Sequence, residues 1–288
     1  MVSWRDEYWT SRDGLALHYR DFAGRDDRPP VLCLHGLTRN ARDFEALADR
    51  LAGDWRVIVP DFRGRGLSDY DPASSRYIPP TYAADVLQLL DELAIPEAVF
   101  VGTSLGGIVT MIVAGFAPLR IAGAVLNDVG PALERAGLNR IRSYVGQTHV
   151  FADWEDAAAR LSEAHSEAHP AYGHGDWLAY ARRVARETER GVEFDYDMAI
   201  AQPFNAMDEK TATAADAWPL LMGLSGKPLL LLRGERSDLF SQETAERMRD
   251  SLPGAELAIV PNVGHAPDLT EPESVAAIDR LLDRVLKR

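Results

Sequence analysis

Residues 102–106 constrain the fold of this chain more than any other segment, because they place a serine in a sharp turn between glycines. The turn reads Gly-Thr-Ser-Leu-Gly, and it joins an apolar run at residues 98–101 to a second one at 107–117. This is the G-x-S-x-G pattern in a strand–turn–helix setting. Glycines two positions to either side let the strand and helix pass close to the serine. The pattern predicts that the Ser104 hydroxyl lies at a helix N-terminus, where backbone N–H groups favour negative charge.

The same five residues could also form an ordinary glycine-rich turn, so the rest of the sequence is needed to distinguish the two structures. Short apolar runs alternate with helical patterns along most of the chain. After an opening hairpin at residues 8–10 and 15–22, strands are predicted at 31–34, 56–60, 98–101, 121–127, 229–232 and 256–260. Helices are predicted at 43–52, 82–93, 242–251 and 272–286. Strand–helix alternation of this kind implies a mostly parallel sheet that is covered on both faces.

The alternation stops between about residues 131 and 217, where we find no convincing strand. The segment is rich in Ala, Glu, Arg and aromatic residues, and its aromatics lie along predicted helices. We expect a helical insertion over the C-terminal edge of the sheet, where α/β folds place their sites. Ordinary surface helices whose aromatics pack inward are a compatible alternative.

Composition argues against several kinds of partner. The 288 residues carry a formal net charge of −13, which disfavours nucleic acid and anionic membranes. The N-terminus has no signal-peptide pattern, and the apolar run at 105–117 is too short to span a bilayer. The single cysteine, Cys33, lies in an apolar run and cannot form an internal disulfide. We therefore expect a cytoplasmic monomer or homodimer that binds neither nucleic acid nor a membrane.

Taken together, these motifs resemble the α/β-hydrolase family, in the branch of single-domain hydrolases with a helical lid. The resemblance covers nearly the whole chain. It implies an eight-stranded, mostly parallel sheet flanked by helices, with a helical cap inserted after strand 6. Residues 1–133 and 215–288 would form the core, and residues 134–214 the cap. The family order along the chain is nucleophile, acid, histidine.

Ser104 and His265 are the expected nucleophile and base. A serine hydroxyl needs a base whose pKa lies near neutrality, which histidine supplies. Of seven histidines, only His35 and His265 fall on loops at the C-terminal end of a predicted strand. His35 precedes the nucleophile, against the family order, and is expected to shape its own loop by packing and hydrogen bonding.

Two aspartates are candidates for the acid. Asp238 follows the strand predicted at 229–232, which is the usual position in the family, and the resemblance favours it. Asp128 follows the strand predicted at 121–127, a position that a minority of relatives use. Composition does not separate the two.

The resemblance also implies an oxyanion hole formed by the backbone N–H groups of Leu105, directly after the nucleophile, and Leu37, in the loop after the third strand. Four apolar and aromatic side chains are expected to contact the substrate, namely Trp154, Trp177, Tyr180 and Leu239.

Neither a metal nor an organic cofactor is expected. Residues 61–69 contain glycines and arginines, but they lack the Gly-Lys-Ser/Thr ending of a phosphate loop, and the resemblance implies that they support the active-site loops. His165 and His169 are four residues apart, yet no third metal ligand is evident, so solvated cap histidines are expected.

Ser104 excludes the branches of the family that have aspartate at this position, namely haloalkane dehalogenases and epoxide hydrolases. For the remaining branches, the resemblance implies hydrolysis at a serine. We expect a serine hydrolase that cleaves a small to medium, mostly apolar carboxylic ester through an acyl-enzyme, with a small-molecule, ester-like substrate as its partner. Three alternatives stay open: C–C hydrolysis of diketone-like ring-cleavage products, lactone or thioester hydrolysis, and ligand binding without turnover. Residues 35–40 lack the additional glycines typical of the C–C hydrolases, which lowers the rank of that alternative.

Overall fold

A computed structural model describes residues 2–206 and 217–288, and within these ranges it contains eleven strands and ten α-helices. The strands are β1 (Trp4–Thr10), β2 (Ala16–Phe22), β3 (Val31–Leu34), β4 (Val57–Pro60), β5 (Ala98–Thr103), β6 (Ile121–Asn127), β7 (Val150–Phe151), β8 (Ala185–Thr188), β9 (Gly191–Phe194), β10 (Leu229–Gly234) and β11 (Ala255–Val260). The helices are α1 (Glu45–Leu51), α2 (Pro79–Glu92), α3 (Leu105–Phe116), α4 (Arg135–Tyr144), α5 (Trp154–His165), α6 (His174–Val184), α7 (Ala201–Ala206), α8 (Trp218–Leu221), α9 (Gln242–Ser251) and α10 (Pro272–Leu286).

Eight strands form the central sheet, in the order β1-β2-β4-β3-β5-β6-β10-β11. Strand β2 is antiparallel to both β1 and β4, and all neighbours from β4 to β11 are parallel. Strands β3, β4 and β6 are buried along their whole length, which is why their sequences are continuous apolar runs. The predicted α/β fold with a mostly parallel, eight-stranded sheet is confirmed.

Helices cover both faces of this sheet and divide the core in two. Successive strand residues point to opposite faces, so Phe100 packs in one cluster with Tyr82 of α2, while Val99 packs in the other with Ile278 of α10. Helix α10 buries one stripe of apolar side chains at helical spacing, which includes Ile278 and Leu282, as expected for a helix with one face on a sheet.

Residues 134–206, which we call the insertion, lie in sequence between β6 and β10, two strands that are neighbours in the central sheet. The insertion contains helices α4 to α7 and a second, antiparallel sheet in the order β7-β9-β8. The expectation of no strand in this segment is therefore wrong. These strands are two to four residues long, and β8 carries exposed charged residues, so no run of alternating apolar residues marks them. Residues 207–214 of the predicted cap lie outside the described residues, and the predicted boundaries stay a prediction.

Hydrogen bonds join the insertion to loops of the core at several points. The Gly264 N–H donates to the Ala168 carbonyl at 2.7 Å, and Asn40 Nδ2 donates to the Arg183 carbonyl at 2.8 Å. Gly264 also packs closely, because a Cβ at this position would lie 2.8 Å from Ala168 Cα. The insertion thus contacts the core directly beside His265.

Helix α3 is strongly apolar because it is buried against the sheet, and it has 12 residues. Within the described ranges, no helix combines the length and apolarity that crossing a bilayer would require.

Candidate active site

Ser104 lies at the sharp turn between β5 and α3, with backbone angles φ 52° and ψ −114°. A positive φ is costly for a residue with a side chain and is held only where the surroundings fix it. Here the Ser104 N–H donates to the Asn127 carbonyl at 3.0 Å. A Cβ on Gly102 would overlap the Gly106 carbonyl, and one on Gly106 would overlap the Leu34 carbonyl. The two glycines of the motif are therefore required by close backbone contact.

His265 connects Ser104 to a buried carboxylate. Its Nε2 lies 2.9 Å from Ser104 Oγ, and its Nδ1 lies 2.7 Å from Asp128 Oδ2. A carboxylate only accepts hydrogen bonds, so Nδ1 carries the proton and Nε2 is free to accept from the serine hydroxyl. The structure thus brings together Ser104 and His265, which lie 161 positions apart in sequence.

Asp128 is fully buried, and three donors surround its carboxylate. In addition to His265, the Gly234 N–H donates to Oδ1 at 2.9 Å, and Ser237 Oγ donates to Oδ2 at 2.6 Å. Its own backbone is held in place because the Asp128 N–H donates to the Leu232 carbonyl at 2.8 Å. Both oxygens of this buried side chain therefore have hydrogen-bond partners.

The expectation that Asp238 contacts His265 is wrong. Asp238 instead accepts two hydrogen bonds from Arg140 of α4, at 2.6 Å to Nε and 2.7 Å to Nη2. Although partial burial opposes ionisation, the Arg140 guanidinium keeps the pKa of Asp238 below its usual value. The backbone carbonyl of Asp238 accepts from Gly137 N–H at 3.0 Å, so the residue faces the insertion. Both aspartates follow a strand, and only their spatial partners distinguish them.

The two N–H groups proposed for an oxyanion hole, those of Leu37 and Leu105, have no hydrogen-bond partner in the part of the chain that the structure describes. The first N–H groups of a helix have no intrahelical acceptor, and Leu105 is the first residue of α3. The N–H of Leu37 is oriented by the preceding peptide carbonyl, that of Gly36, which accepts from His35 Nδ1 at 2.8 Å. In a trans peptide the N–H points opposite to the C=O.

His35 is a supporting residue, as expected. Its Nε2 accepts from the Phe62 N–H at 3.0 Å, so the proton lies on Nδ1. Burial lowers the pKa of His35 to about 4, and the ring is neutral near pH 7. Residues 61–69 complete the support, because Arg65 Nε donates to the Leu37 carbonyl at 2.9 Å. This contact agrees with the structural role predicted for that segment.

A cavity of about 290 Å³ opens beside Ser104 and His265, between the core loops and the insertion. Tyr144, Phe151, Tyr180 and Phe194 supply aromatic walls, and Arg39, Arg140, His165 and His169 supply polar ones. The cavity thus combines an apolar lining with several cationic or hydrogen-bonding groups, which suits a small molecule that is partly polar.

Of the four expected substrate contacts, only Tyr180 lines this cavity. Trp177 is buried in the core of the insertion and Trp154 packs against the same cluster. Leu239 belongs to another cluster, with Leu138 of α4. Aromatic residues in predicted helices show that a helix has an apolar face, but not whether that face meets a cavity or a core.

His165 and His169 line the cavity, where His169 is buried and His165 is half-buried. This corrects the expectation that both are solvated. Burial, together with the nearby Arg39, lowers the pKa of His165 to about 4 and that of His169 to about 3. Both rings are therefore neutral near pH 7. Among the described residues, no group of three or more His, Cys, Asp or Glu side chains is arranged to hold a metal ion.

Sequence reasoning did not single out Arg39 or Asp268, which also line the cavity. The available signal for Arg39 was its spacing of four from Asp43, which is typical of an ion pair on adjacent helical turns. The available signal for Asp268 was its position three residues after His265.

Comparisons with known proteins agree with this fold. A model of the alpha/beta hydrolase family matches residues 31–278. The solved structure of an alpha/beta hydrolase from Novosphingobium aromaticivorans is 52% identical, with a TM-score of 0.94 over 99% of each chain. The 3-hydroxybutyrate-oligomer hydrolase of Cupriavidus necator is 33% identical over 260 residues, which cover 88% of each protein. The 2-(acetamidomethylene)succinate hydrolase of Mesorhizobium japonicum is 27% identical over 270 residues, again 88% of each. The family model and these relatives span most of the chain, and the protein therefore belongs to the alpha/beta hydrolase family.

Proposed function

We propose that this protein hydrolyses carboxylic esters by a Ser-His-Asp mechanism, with Ser104 as nucleophile, His265 as base and Asp128 as the acid. The observation that carries the proposal is the continuous chain of hydrogen bonds from Ser104 Oγ through the His265 ring to Asp128. Such a chain allows a weak nucleophile to lose its proton as it attacks.

In the first half of the reaction, Ser104 Oγ attacks the ester carbonyl carbon and His265 Nε2 takes the hydroxyl proton. The Asp128 carboxylate holds Nδ1–H and stabilises the imidazolium that forms. Negative charge develops on the carbonyl oxygen, within reach of the free N–H groups of Leu37 and Leu105. One such donor contributes about 2.7–4 kcal/mol to transition-state stabilisation. His265 then gives its proton to the leaving alcohol oxygen, and the acyl group stays on Ser104.

In the second half, a water molecule attacks the acyl-enzyme and transfers a proton to His265 Nε2. The tetrahedral intermediate uses the same two N–H groups. When it collapses, the carboxylic acid leaves and Ser104 Oγ recovers its proton from His265. The protein's own side chains thus supply each proton transfer.

The substrate we propose is a small to medium acyl ester with polar as well as apolar parts. The cavity volume of about 290 Å³ lies near the lower end of the range for small-molecule pockets. Short oligoesters of hydroxy acids are suitable test substrates, because the Cupriavidus necator relative is named as a 3-hydroxybutyrate-oligomer hydrolase.

Labelling by a fluorophosphonate probe, followed by peptide mapping, tests the nucleophile, and hydrolysis of 4-nitrophenyl butyrate and of the 3-hydroxybutyrate dimer tests the reaction. We expect one adduct, on Ser104. In Ser104→Ala, we expect loss of the adduct and a fall in kcat of about 10⁴–10⁶. Ser251→Ala is the matched control, since this serine lies at the exposed end of α9. An adduct on another residue, or substantial turnover by Ser104→Ala, would contradict the proposal.

A further inference from the structure

Arg39 lies in the loop that also carries Leu37, and its side chain lines the cavity. Arg39 and Ser104 flank Gly36: a Cβ on that glycine would lie 3.2 Å from Arg39 Cγ and 3.9 Å from Ser104 Cβ. The base of the Arg39 side chain is therefore adjacent to the nucleophile. Because Arg39 and Ser104 line the same cavity, the guanidinium can contact another part of a small substrate that Ser104 attacks.

The Arg39 guanidinium is held in one orientation. Its Nε and Nη2 each donate to Asp43 at 2.6 Å, and its Cζ lies 4.4 Å from the centre of the Tyr180 ring. Its Nη1 has no hydrogen-bond partner among residues 2–206 and 217–288. An arginine that is fixed on one edge and stacked on a ring loses little freedom when its open edge binds a ligand.

The charges around Arg39 leave an excess of positive charge. Arg183 shares Asp43, with its Nε 3.8 Å from Asp43 Oδ1, so one carboxylate faces two guanidinium groups. Although burial opposes ionisation, Arg39 keeps the pKa of Asp43 below its usual value. A second carboxyl, Asp268, lies 3.5 Å from Arg183, and Glu45, which also acts on Arg183, is paired with Arg20 at 2.5 Å. Burial raises the pKa of Asp268 to about 7, against the opposing charge of Arg39. Asp268 therefore does not cancel the second positive charge completely.

Arg140, also on the cavity wall, differs from Arg39 because a carboxylate of its own neutralises its charge. Its guanidinium and Asp238 form a one-to-one, bidentate pair. Neutral His165 and His169 add no charge of either sign. Arg160, also on the wall, contacts Asp156 at 3.4 Å, and its side chain is 57% exposed, so solvent screens its charge. Among the less exposed cations on the described part of the cavity wall, Arg39 is thus the one that combines a free donor edge with uncompensated charge.

We propose that the substrate carries a carboxylate in addition to the ester, and that the free edge of Arg39 binds this carboxylate while Ser104 attacks. This inference rests on the proposed ester hydrolysis and narrows its substrate class to esters of free acids. The carboxylate could belong to the acyl part or to the alcohol part, and the two arms of the experiment distinguish these sources.

The acyl arm compares monoethyl glutarate with ethyl pentanoate, which is similar in length and lacks the carboxylate. The alcohol arm compares the 3-hydroxybutyrate dimer as free acid with its methyl ester, following cleavage of the internal ester. We expect kcat/KM to favour the acid at least tenfold in one arm. In Arg39→Gln, kcat/KM for the acid should fall about 10–100-fold, mainly through KM, as expected for a lost hydrogen bond to a charged group, while kcat/KM for the neutral ester changes little.

Arg249→Gln is the matched control, because it removes one exposed cation on α9 and should keep the preference. If Arg39→Gln fails to fold, since it leaves Asp43 with a weaker partner, the double variant Arg39→Gln/Asp43→Asn removes both charges and gives the same readout. Equal kcat/KM for acid and neutral ester in both arms, or a preference that survives the loss of Arg39, would overturn the inference.

Calorimetry separates this inference from the proposed hydrolysis, because it needs no turnover. Ser104→Ala should bind the preferred acid more tightly than its neutral partner, and Ser104→Ala/Arg39→Gln should bind the two alike. If the acid binds selectively but the wild-type protein hydrolyses neither ester, the hydrolysis fails and the carboxylate site stands. If both esters are hydrolysed but binding is not selective, only the carboxylate site fails.

Discussion

Asp128 Oδ2 lies 2.7 Å from His265 Nδ1, on the side of the ring opposite Ser104. Because Asp128 directly follows β6, the neighbour of the strand that ends at the nucleophile, the carboxylate is fixed by the sheet itself. Asp238 lies four residues beyond the end of β10 and reaches toward the insertion.

Asp128→Asn should lower kcat by about 10⁴ with little change in KM. An amide can keep the geometry but favours the tautomer with the proton on Nε2, which cannot accept from Ser104. Steady-state kinetics with 4-nitrophenyl butyrate measures this effect.

Asp238→Asn is the matched control for that change. It weakens the pair with Arg140 and should act mainly on stability, by about 0.5–3 kcal/mol. Loss of activity in a well-folded Asp238→Asn protein, together with an active Asp128→Asn protein, would show that the acid has been assigned to the wrong residue.

His35→Phe should lower kcat by as much as about 10²–10³, the loss expected for one oxyanion donor, while KM changes little. The substitution removes the donor that fixes the Gly36 carbonyl and, with it, the direction of the Leu37 N–H. It also leaves the Phe62 N–H unpaired, at a cost of about 1–3 kcal/mol in stability. His35→Gln has both a donor and an acceptor and should restore part of kcat. An equal loss of kcat in the Gln and Phe variants would indicate that the ring only fills space.

Gly106→Ala should destabilise the protein by at least about 1–3 kcal/mol, because the new methyl group overlaps the Leu34 carbonyl, which belongs to the backbone and cannot turn aside. Gly175 in α6 provides the contrast, since nothing lies within 4 Å of a Cβ at that position. There, alanine should stabilise the helix by about 0.5–1 kcal/mol. Urea unfolding of both variants measures the two changes in the free energy of unfolding. An unchanged free energy for Gly106→Ala would contradict the close contact between residue 106 and the Leu34 carbonyl.

Tyr180→Leu should change kcat/KM for longer acyl chains by about 1–3 kcal/mol more than for acetyl esters, because this ring lines the cavity. Trp177→Phe should instead reduce stability, by about 0.5–3 kcal/mol, and should change kcat/KM by the same factor for all acyl chain lengths. Kinetics over a series of 4-nitrophenyl esters separates the two. A chain-length effect at Trp177 comparable with that at Tyr180 would place both rings in contact with substrate.

Asp268 should contribute stability that is lost as pH rises from about 4 to about 7. Burial raises the pKa of this carboxyl to about 7, so the folded protein holds a proton that the unfolded chain releases above about pH 4. The groups that act on it are Arg39, Asp43 and Glu271, and its direct contacts are Tyr172 and Arg183.

Urea unfolding of Asp268→Asn and the wild-type protein at pH 5 and pH 8 measures this contribution. The neutral rings of His35, His165 and His169, whose pKa values are lowered, produce the opposite trend below about pH 6.5. They are present in both proteins, so the difference between the variants isolates Asp268. The asparagine variant should lose less stability between pH 5 and pH 8. Equal losses of stability in the two proteins between pH 5 and pH 8 would contradict the raised pKa of Asp268.

The fold was predictable because its signals are local. Continuous apolar runs such as residues 31–34 mark strands buried on both faces, and helical spacing marks the elements between them. Ser104 and His265 were likewise suggested by a turn motif and by position after a strand. The partners of Asp128 were not predictable, because Gly234 and Ser237 lie more than 100 positions away and nothing in the sequence around either aspartate records them.

The insertion was the least predictable part for the same physical reason. Strands β7 to β9 are too short to show a period, and the burial of His169 depends on rings from other turns of the segment, including Tyr172 and Trp177. A spacing of four residues places two histidines on one helix face only where the helix continues, and α5 ends at His165. The spacing contains no information on what covers either ring.

The hydrogen bond from the Gly264 N–H to the Ala168 carbonyl links the insertion to the loop that carries the base. Residue 264 immediately precedes the base, so a movement that lifts this part of the insertion must either break the bond or carry the histidine loop with it. In the second case, His265 would move away from Ser104 whenever the cavity opens there.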